Sequence, residues 1–343
     1  MPNPILTEAI ERLACGESLG TEGAACVLRE VMVGEASEVQ AGAFLIALRT
    51  KGETVDELVG LASAMRELAV PVEVSASDLV DTAGTGGGRP TFNVSTTAAF
   101  VAAAAGCTVA KHGNRSATGR SGSADVLEAL GARIDLPPDA VADCIETVGF
   151  GFIFAPQHHV AMRHVVGVRR ELAVRTIFNF LGPLTNPAGA NRQLIGVSDA
   201  GHLETIGRAL AALGGRKALV VSSDDGLDEV SASGATRAVE LDDGRVETRL
   251  IEPEALGVER VPAEAVRAGD PEFSAVLVRA VLAGEQGPER ALTIVNAAAA
   301  IYVGGRAGSL ADGARLAEDA IDSGAARETM ERYLEHTRAV AEP

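Results

Sequence analysis

The densest chemistry in this chain lies in one uninterrupted stretch, Asp81-Thr82-Ala83-Gly84-Thr85-Gly86-Gly87-Gly88-Arg89-Pro90-Thr91-Phe92-Asn93-Val94-Ser95-Thr96. Four of the five residues from Gly84 to Gly88 are glycine. Glycine tolerates positive φ and presents bare N–H groups, so such a run lets the backbone close around an anion. Ser95, Thr96 and Thr97 then open an alanine-rich apolar run that reads as a helix. A helix start adds unpaired N–H donors and the positive end of a dipole. A second strand-like run, Thr108 to Ala110, delivers a polar cluster of Lys111, His112, Asn114, Arg115, Ser116, Thr118, Ser121 and Ser123. Two successive loops of this kind suit a ligand with more than one phosphate. The pattern is neither a dinucleotide fingerprint nor a Walker loop: no Gly-Lys-Ser/Thr follows, and no acidic residue ends a second strand to take a ribose hydroxyl.

Two further segments carry chemistry. Asp224, Asp225, Asp228 and Glu229 follow the run Ala218 to Ser222. Carboxylates in such a loop hold Mg²⁺, which prefers oxygen ligands and bridges to phosphates, or else form a solvated acidic turn. Arg163, Arg169, Arg170 and Arg175 lie on a helical stretch around Val165 to Thr176, where Arg170 and Arg175 read as surface residues. The following Phe178-Asn179-Phe180-Leu181-Gly182-Pro183-Leu184-Thr185-Asn186-Pro187 is either a rigid connection or one wall of a pocket for a flat ligand.

The elements that must position these groups fall into two kinds. Up to about Val70 the chain reads as helices alone, with capping boxes at Ser37/Gln40 and Thr54/Glu57. From about Asp78, short β-branched runs alternate with helical ones, the pattern of a parallel sheet covered on both faces. Strands are expected at Leu79 to Thr82, Thr108 to Ala110, Phe150 to Phe154, Leu194 to Val197 and Ala218 to Ser222. Their carboxyl-terminal loops then line one edge, where open α/β sheets bind ligands. Ala238 to Leu241 and Val246 to Ile251 flank Asp242-Asp243-Gly244-Arg245 as a hairpin on the sheet edge, and the tail from Glu289 is helical.

A chain of 343 residues with 47% hydrophobic content supports a sizeable core. The formal charge of −17, with no Trp, argues against nucleic-acid binding, which needs a basic footprint. An anionic substrate must be drawn by local cations, and Lys111, Arg115 and Arg120 are the expected cluster. No secretory signal or membrane-length apolar run is present, so a cytoplasmic protein is expected. Cys15, Cys26, Cys107 and Cys144 have no metal-site spacing and read as small buried thiols.

Taken together, these segments closely resemble the anthranilate phosphoribosyltransferase family. The matching pieces are Gly84-Thr85-Gly86-Gly87, Thr91-Phe92-Asn93-Val94-Ser95-Thr96, Lys111-His112-Gly113-Asn114-Arg115-Ser116, Ser121-Gly122-Ser123-Ala124-Asp125, Val168-Arg169, Arg175-Thr176-Ile177-Phe178-Asn179, Leu181-Gly182-Pro183-Leu184-Thr185-Asn186-Pro187 and Asp228-Glu229-Val230, in family order. The resemblance implies a small all-helical domain, 1–72 with 163–187 packed onto it, and a large α/β domain, 73–162 and 188–343. Its sheet would be mostly parallel, as in nucleoside phosphorylases and phosphoribosyltransferases. It implies a homodimer in which the amino group of anthranilate displaces pyrophosphate from C1 of phosphoribosyl pyrophosphate, with Mg²⁺, in tryptophan biosynthesis. By motif, Gly84, Gly87, Thr91, Asn93, Ser95, Thr96, Lys111 and Ser123 would bind the sugar diphosphate. Ser95, Asp228 and Glu229 would serve the metal, and Gly84, His112, Asn114, Arg169 and Pro183 would form the anthranilate site, Arg169 through the carboxylate.

Positioning and electrostatics suffice for such a glycosyl transfer, so no strong general base is expected, and His112 has at most a minor proton role. One departure from the family pattern stands out: an Asp normally follows Gly-Thr-Gly-Gly, where this chain has Gly88, and the loop to Thr91 is one residue shorter. A nucleoside phosphorylase and a noncatalytic nucleic-acid-binding relative are the alternatives. The Lys111-to-Arg115 and Val168-Arg169 motifs count against the first, and the acidic charge and the Asp228-Glu229 pair against the second.

Overall fold

Four helices come first: α1 (Pro4–Ala14), α2 (Gly20–Met32), α3 (Glu38–Lys51) and α4 (Val55–Glu67). The computed structural model describes residues 1–116 and 119–340, so Thr118 of the expected polar cluster lies outside the described residues. Thr54 and Glu57 make a full capping box at the start of α4. The box expected at Ser37 is half-made: Ser37 accepts from the Gln40 amide at 3.2 Å. The Gln40 side chain turns instead to the Asn3 carbonyl at 2.9 Å, tying α3 to the start of α1. Glu57 is fully buried, and its carboxylate accepts from the Leu19 amide at 3.0 Å and the Lys51 ammonium at 2.9 Å.

The rest of the chain builds the sheet in the order β1 (Leu79–Gly84), α5 (Val94–Ala104), β2 (Thr108–Gly113), α6 (Ser123–Leu130), α7 (Pro138–Val148), β3 (Phe150–Phe154), α8 (Ala155–His158), α9 (Arg163–Leu172), α10 (Phe178–Leu184), β4 (Arg192–Gly196), α11 (Leu203–Ala212) and β5 (Lys217–Ser223). The hairpin β6 (Thr236–Asp242) and β7 (Arg245–Ile251) follows, then α12 (Pro271–Leu282), α13 (Pro288–Val303), α14 (Leu310–Asp322) and α15 (Ala325–Ala339). The seven strands lie in the order β3-β2-β1-β4-β5-β6-β7. The first five run parallel and the hairpin adds an antiparallel edge, as expected. Two strands extend further than their apolar runs: β2 carries on through Lys111 and His112, which are therefore strand residues and not loop residues, and β1 runs on to Gly84. The segment from Phe178, read as a rigid connection or a pocket wall, is a helix to Leu184 with Pro183 inside it. The chain moves outward from β1 to β2 and β3 and then returns to β4 on the other side of β1, so the switch point lies between β1 and β4.

Alternation along the strands divides the apolar residues between two cores. Leu194, Leu219 and Val221 face the core built with α5 and α13. Ile195, Ala218 and Val220 face the other, which they share with Leu28, Phe44 and Leu61 of the N-terminal helices and with Val165, Leu181 and Leu184 of α9 and α10. One continuous core thus joins the helical bundle to a sheet face. Cys107 and Cys144 are buried as expected, but Cys15, at the C-terminal cap of α1, is exposed, and Cys26, within α2, is half-exposed. Among the described residues, no helix is long and apolar enough to cross a membrane.

Burial alone would raise the Glu57 carboxyl, but the Lys51 ammonium and the Leu19 and Thr54 donors outweigh it and hold it below the usual range. Its contribution to stability is therefore present above the unfolded carboxylate range, near about pH 4.3, and is lost as pH falls through the folded value. Glu57→Ala is expected to cost about 3 kcal/mol in denaturant unfolding at about pH 7, because Lys51 and the Leu19 amide lose their partner. The gap to the wild type should narrow below about pH 4.

Candidate active site

The glycine loop leaves β1 at the switch point, with φ of 66° at Gly86 and 92° at Gly87, the left-handed region that favours glycine. Its near end is fixed by the Thr85 amide donating to the Gly196 carbonyl at 2.8 Å, across to the end of β4. Its far end is tied to the acidic turn after β5. The Arg89 amide donates to the Gly226 carbonyl at 2.7 Å, and its guanidinium pairs with Asp225 at 3.2 Å. Asp228 then sits against three glycine backbones. A Cβ at Gly84 would lie 3.5 Å from Asp228 Oδ2, one at Gly88 only 2.6 Å from the Asp228 nitrogen, and one at Gly196 would overlap the Asp228 carbonyl oxygen. The family aspartate therefore has no room at position 88 of this shorter loop, whose Gly88 is a steric requirement.

At the loop's end, Asn93 caps α5 by position but makes no side-chain hydrogen bond to the helix. Its amide group is spent on the neighbouring loop, with Oδ1 accepting from Ser121 Oγ at 2.7 Å and Nδ2 donating to the Ser121 carbonyl at 3.3 Å. The first-turn amides of α5 are thus left without a side-chain cap, the state in which a helix start receives an anion. Ser123 opens α6 nearby, and its hydroxyl donates to the Asn114 carbonyl at 3.3 Å. Asn114 is exposed just past the end of β2. Thr96 is fully buried, with a hydroxyl that has no partner, whereas the Thr91 hydroxyl is satisfied by the Phe92 carbonyl at 2.9 Å. Lys111 is buried. Its ammonium donates to the Thr82 carbonyl, to Thr82 Oγ1 at 3.0 Å and to Ser95 Oγ at 3.4 Å. The expected Lys111, Arg115 and Arg120 cluster does not form. Arg115 turns outward to Asp125 at 3.0 Å and to Glu128, and Arg120 is exposed.

Of the four acidic residues after β5, two are used structurally. Asp224 pairs with Arg237 at 3.1 Å, and Asp225 takes Arg89 and the Ser231 hydroxyl. Asp228 and Glu229 make no ion pair among the described residues. Desolvation raises both carboxyls; Asp228 further raises Glu229, while Lys111 pulls Glu229 back and Arg175 opposes the rise at Asp228. Desolvation lowers the Lys111 ammonium, with Asp81 and Glu229 opposing. Ser95 and Glu229 are thus both neighbours of Lys111, with Asp228 beside Glu229. Two desolvated carboxyls, with the Ser95 hydroxyl bonded to the same ammonium that acts on Glu229, supply the kind of oxygens that suit a hard divalent cation able to take phosphate oxygens as well.

Helix α9 packs on α2 and α3 and carries Arg169, whose guanidinium lies over the Phe178 ring at 5.4 Å. Arg169 has no carboxylate partner among the described residues, and desolvation lowers its pKa. It is free to take an anionic group. His112 is buried at the end of β2, with Nδ1 donating to the Gly182 carbonyl at 3.1 Å, which leaves Nε2 as an unpartnered acceptor. Its ring is 5.1 Å from that of His159. Pro183 is buried within α10, and its carbonyl accepts from Gln193 at 2.6 Å. Arg170 is exposed as expected, but Arg175 is not a free surface residue: its Nη1 donates to the Gly86 carbonyl at 2.6 Å and to Ser198 Oγ at 2.8 Å.

Sequence reasoning also missed Gly196 and Asp81. Asp81 is a buried carboxylate in an apolar strand that accepts from the His112 amide at 3.1 Å and from Asn186 Nδ2 at 2.9 Å. An acid inside a short apolar strand run is the signal that marks it.

A helical bundle joined to a sheet whose glycine loop leaves β1 at the β1/β4 switch point is the architecture of the glycosyl transferase family, and the chain matches that family. The family's helical bundle domain matches residues 7–69 and its a/b domain matches residues 76–327. The chain is 50% identical over 97% of its length to anthranilate phosphoribosyltransferase of Thioalkalivibrio sulfidiphilus, covering 98% of that protein. It is likewise 50% identical over 98% of its length to the enzyme of that name from Rubrobacter xylanophilus, covering 99% of it. The crystal structure of anthranilate phosphoribosyltransferase from Thermus thermophilus superposes with a TM-score of 0.91 at 45% identity, over 96% of this chain and 99% of that one. The enzyme from Saccharomyces cerevisiae in complex with PRPP and Mg gives a TM-score of 0.88 at 26% identity, over 97% and 98%. The chain belongs to the anthranilate phosphoribosyltransferase family.

Desolvation pushes the His112 imidazole down to about 3, with His159 adding to the fall. NMR of labelled imidazoles should find His112 neutral and unmoved from about pH 5 to about pH 8. A midpoint near about 6.5 would contradict its burial. Because the unfolded chain takes up this proton first, the site should subtract stability as pH falls from about 6.5 towards about 3.

Proposed function

We infer that the protein transfers the phosphoribosyl group of phosphoribosyl pyrophosphate to the amino group of anthranilate and releases pyrophosphate, a step of tryptophan biosynthesis. The observation that carries this reading is the uncapped start of α5 at the end of the glycine loop, together with Asp228 and Glu229, two desolvated carboxyls without an ion-pair partner among the described residues. Gly84, Gly87, Thr91, Asn93, Ser95, Thr96, Lys111 and Ser123 bind the sugar diphosphate in this reading, through glycine-loop and helix-start amides, hydroxyls and one buried ammonium. Asp228, Glu229 and the Ser95 hydroxyl fit Mg²⁺, which the yeast relative holds together with PRPP. When bound, the ion supplies charge neutralisation at the diphosphate.

The acceptor lies on the α9–α10 side. Arg169 takes the anthranilate carboxylate, while Gly84, Asn114, His112 and Pro183 bound the aromatic ring. The amine attacks C1 in its neutral form as the C1–O bond breaks, the bonding pair leaves with pyrophosphate, and the attacking nitrogen then sheds a proton. His112 is too weakly basic to drive that loss and serves as pocket lining. Holding amine and C1 in line, and neutralising the leaving group, accounts for the acceleration.

The working enzyme is a cytoplasmic homodimer in this reading. Each subunit comprises a helical unit of 1–72 with 163–187 and an α/β unit of 73–162 and 188–343. The apolar side chains Ile5, Val39, Ile46 and Val166 stand exposed on α1, α3 and α9, Val39 at 81%, and a second copy would cover them. Val39→Glu combined with Ile46→Glu should convert a dimer to a monomer in light scattering, and a wild type that is already monomeric would refute the pairing.

Loss of anthranilate fluorescence with phosphoribosyl pyrophosphate and Mg²⁺ tests the reaction itself, and its absence at any Mg²⁺ level would overturn it. Arg169→Ala should raise the KM for anthranilate about 30-fold, the worth of a charge-assisted carboxylate bond, with a smaller change in kcat.

A further inference from the structure

Among the described residues, Arg175 is the one cation that touches the glycine loop from the α9–α10 side. Helix α9 ends at Leu172, and its capping residue Ala173 adopts a left-handed φ of 51°, a conformation uncommon for a residue with a Cβ. That turn carries the chain back so that Arg175, two residues on, reaches across to the ends of β1 and β4. Its Nη1 donates to the Gly86 carbonyl at 2.6 Å and to Ser198 Oγ at 2.8 Å. A Cβ at Gly87 would collide with the same Nη1, just as one at Gly88 would collide with Asp228. The glycine loop is thus held between a guanidinium on one side and a carboxylate on the other.

The bonds Arg175 makes are those of a group without its proper partner. Among the described residues it has no carboxylate within ion-pair distance, and its Nε and Nη2 make no hydrogen bond. A guanidinium offers five donors in a planar fork matched to phosphate oxygens. Here one nitrogen rests on a backbone carbonyl and a serine. Gly86 and Gly87, the residues it touches, belong to the glycine loop that leads to the uncapped start of α5, so an anion seated against Gly87 lies within reach of the free side of the fork.

We propose that Arg175 is a donor-binding residue: its guanidinium takes the diphosphate seated on Gly86 and Gly87 and neutralises the pyrophosphate as it departs. This rests on the phosphoribosyl-transfer reading above. In the step, the C1–O bond breaks, its electron pair passes to the leaving oxygen, and Arg175 stabilises that charge through hydrogen bonds without giving up a proton. The residue sits on the segment that also carries Arg169, so one stretch of chain holds both the acceptor carboxylate and the leaving group.

The test is calorimetric titration of the full chain with inorganic pyrophosphate and Mg²⁺, in the absence of anthranilate, for the wild type, Arg175→Ala, Arg175→Lys and Arg170→Ala, with melting temperatures alongside. Arg175→Ala is expected to weaken pyrophosphate binding about 10-fold or more, and to raise the KM for phosphoribosyl pyrophosphate and lower kcat while leaving the KM for anthranilate near the wild-type value. Arg175→Lys should recover part of the pyrophosphate affinity, since it keeps the charge and loses the fork. Arg170→Ala, an exposed neighbour, should bind as the wild type does. Unchanged pyrophosphate affinity in Arg175→Ala, with only a lower melting temperature, would overturn the proposal and make Arg175 a structural latch. Because pyrophosphate binding needs no acceptor, it judges Arg175 even if the wild type does not consume anthranilate. A wild type that binds pyrophosphate yet shows no turnover would count against the acceptor assignment alone.

Discussion

Asp228 occupies a position that neighbouring side chains would exclude. Gly84, Gly88 and Gly196 come from β1, the loop that follows it and β4, and a Cβ on Gly88 or Gly196 would strike the Asp228 backbone. Bringing the end of β4, the loop after β1 and the turn after β5 to one point therefore depends on omitting methyl groups. Everything else at the site is arranged around that contact. The Thr85 amide on Gly196 holds the loop to β4, and Arg89 on Asp225 and Gly226 holds it to the acidic turn. The family carboxylate absent at position 88 is explained by the same contact, since the Asp228 backbone leaves room there for glycine alone.

A second constraint ties the two halves of the site. Asp81, lying in β1 ahead of the glycine loop, receives the His112 amide from β2 and the Asn186 side chain from beyond α10, and Asn186 also donates to the Ala110 carbonyl at 2.8 Å. Desolvation raises this carboxyl to about 6, with Lys111 and Asn186 opposing. The strand that carries Lys111 and the segment just beyond α10 are thus pinned to the same buried group. That geometry holds the glycine-loop edge of the sheet and the α10 segment against one another.

Much of this was legible in the amino-acid sequence because it is local. Alternating apolar runs marked the five parallel strands and the hairpin, and the glycine run followed by Ser95 and Thr96 marked the cradle. What was not legible depends on contacts between distant segments. Lys111 and His112 read as loop residues because they are polar, yet β3 pairs with them in register. Arg115 looked like part of a substrate-facing basic cluster, but the carboxylates that claim it, Asp125 and Glu128, become its neighbours only when α6 forms. Arg175 looked like a surface residue on a helical stretch. The helix stops at Leu172, and the turn at Ala173 sends the side chain inward. Asp224 and Asp225 could not be separated from Asp228 and Glu229 by type, because what distinguishes them is which arginine each one meets.

The core shared by the bundle and the sheet has a consequence for how the chain is made. The apolar surfaces of α2, α3 and α4 are closed by Val165, Ile177, Leu181 and Leu184, residues that lie far downstream of Leu61 in the chain. As synthesis proceeds from the N-terminus, the first four helices emerge with their inner faces incomplete, and they stay so until three strands and the α9–α10 stretch have followed. The helical unit is thus complete in space but not in sequence order. It cannot mature ahead of the α9–α10 stretch, and a chain interrupted anywhere before Leu184 leaves apolar surface of the first helices exposed to aggregation and proteolysis.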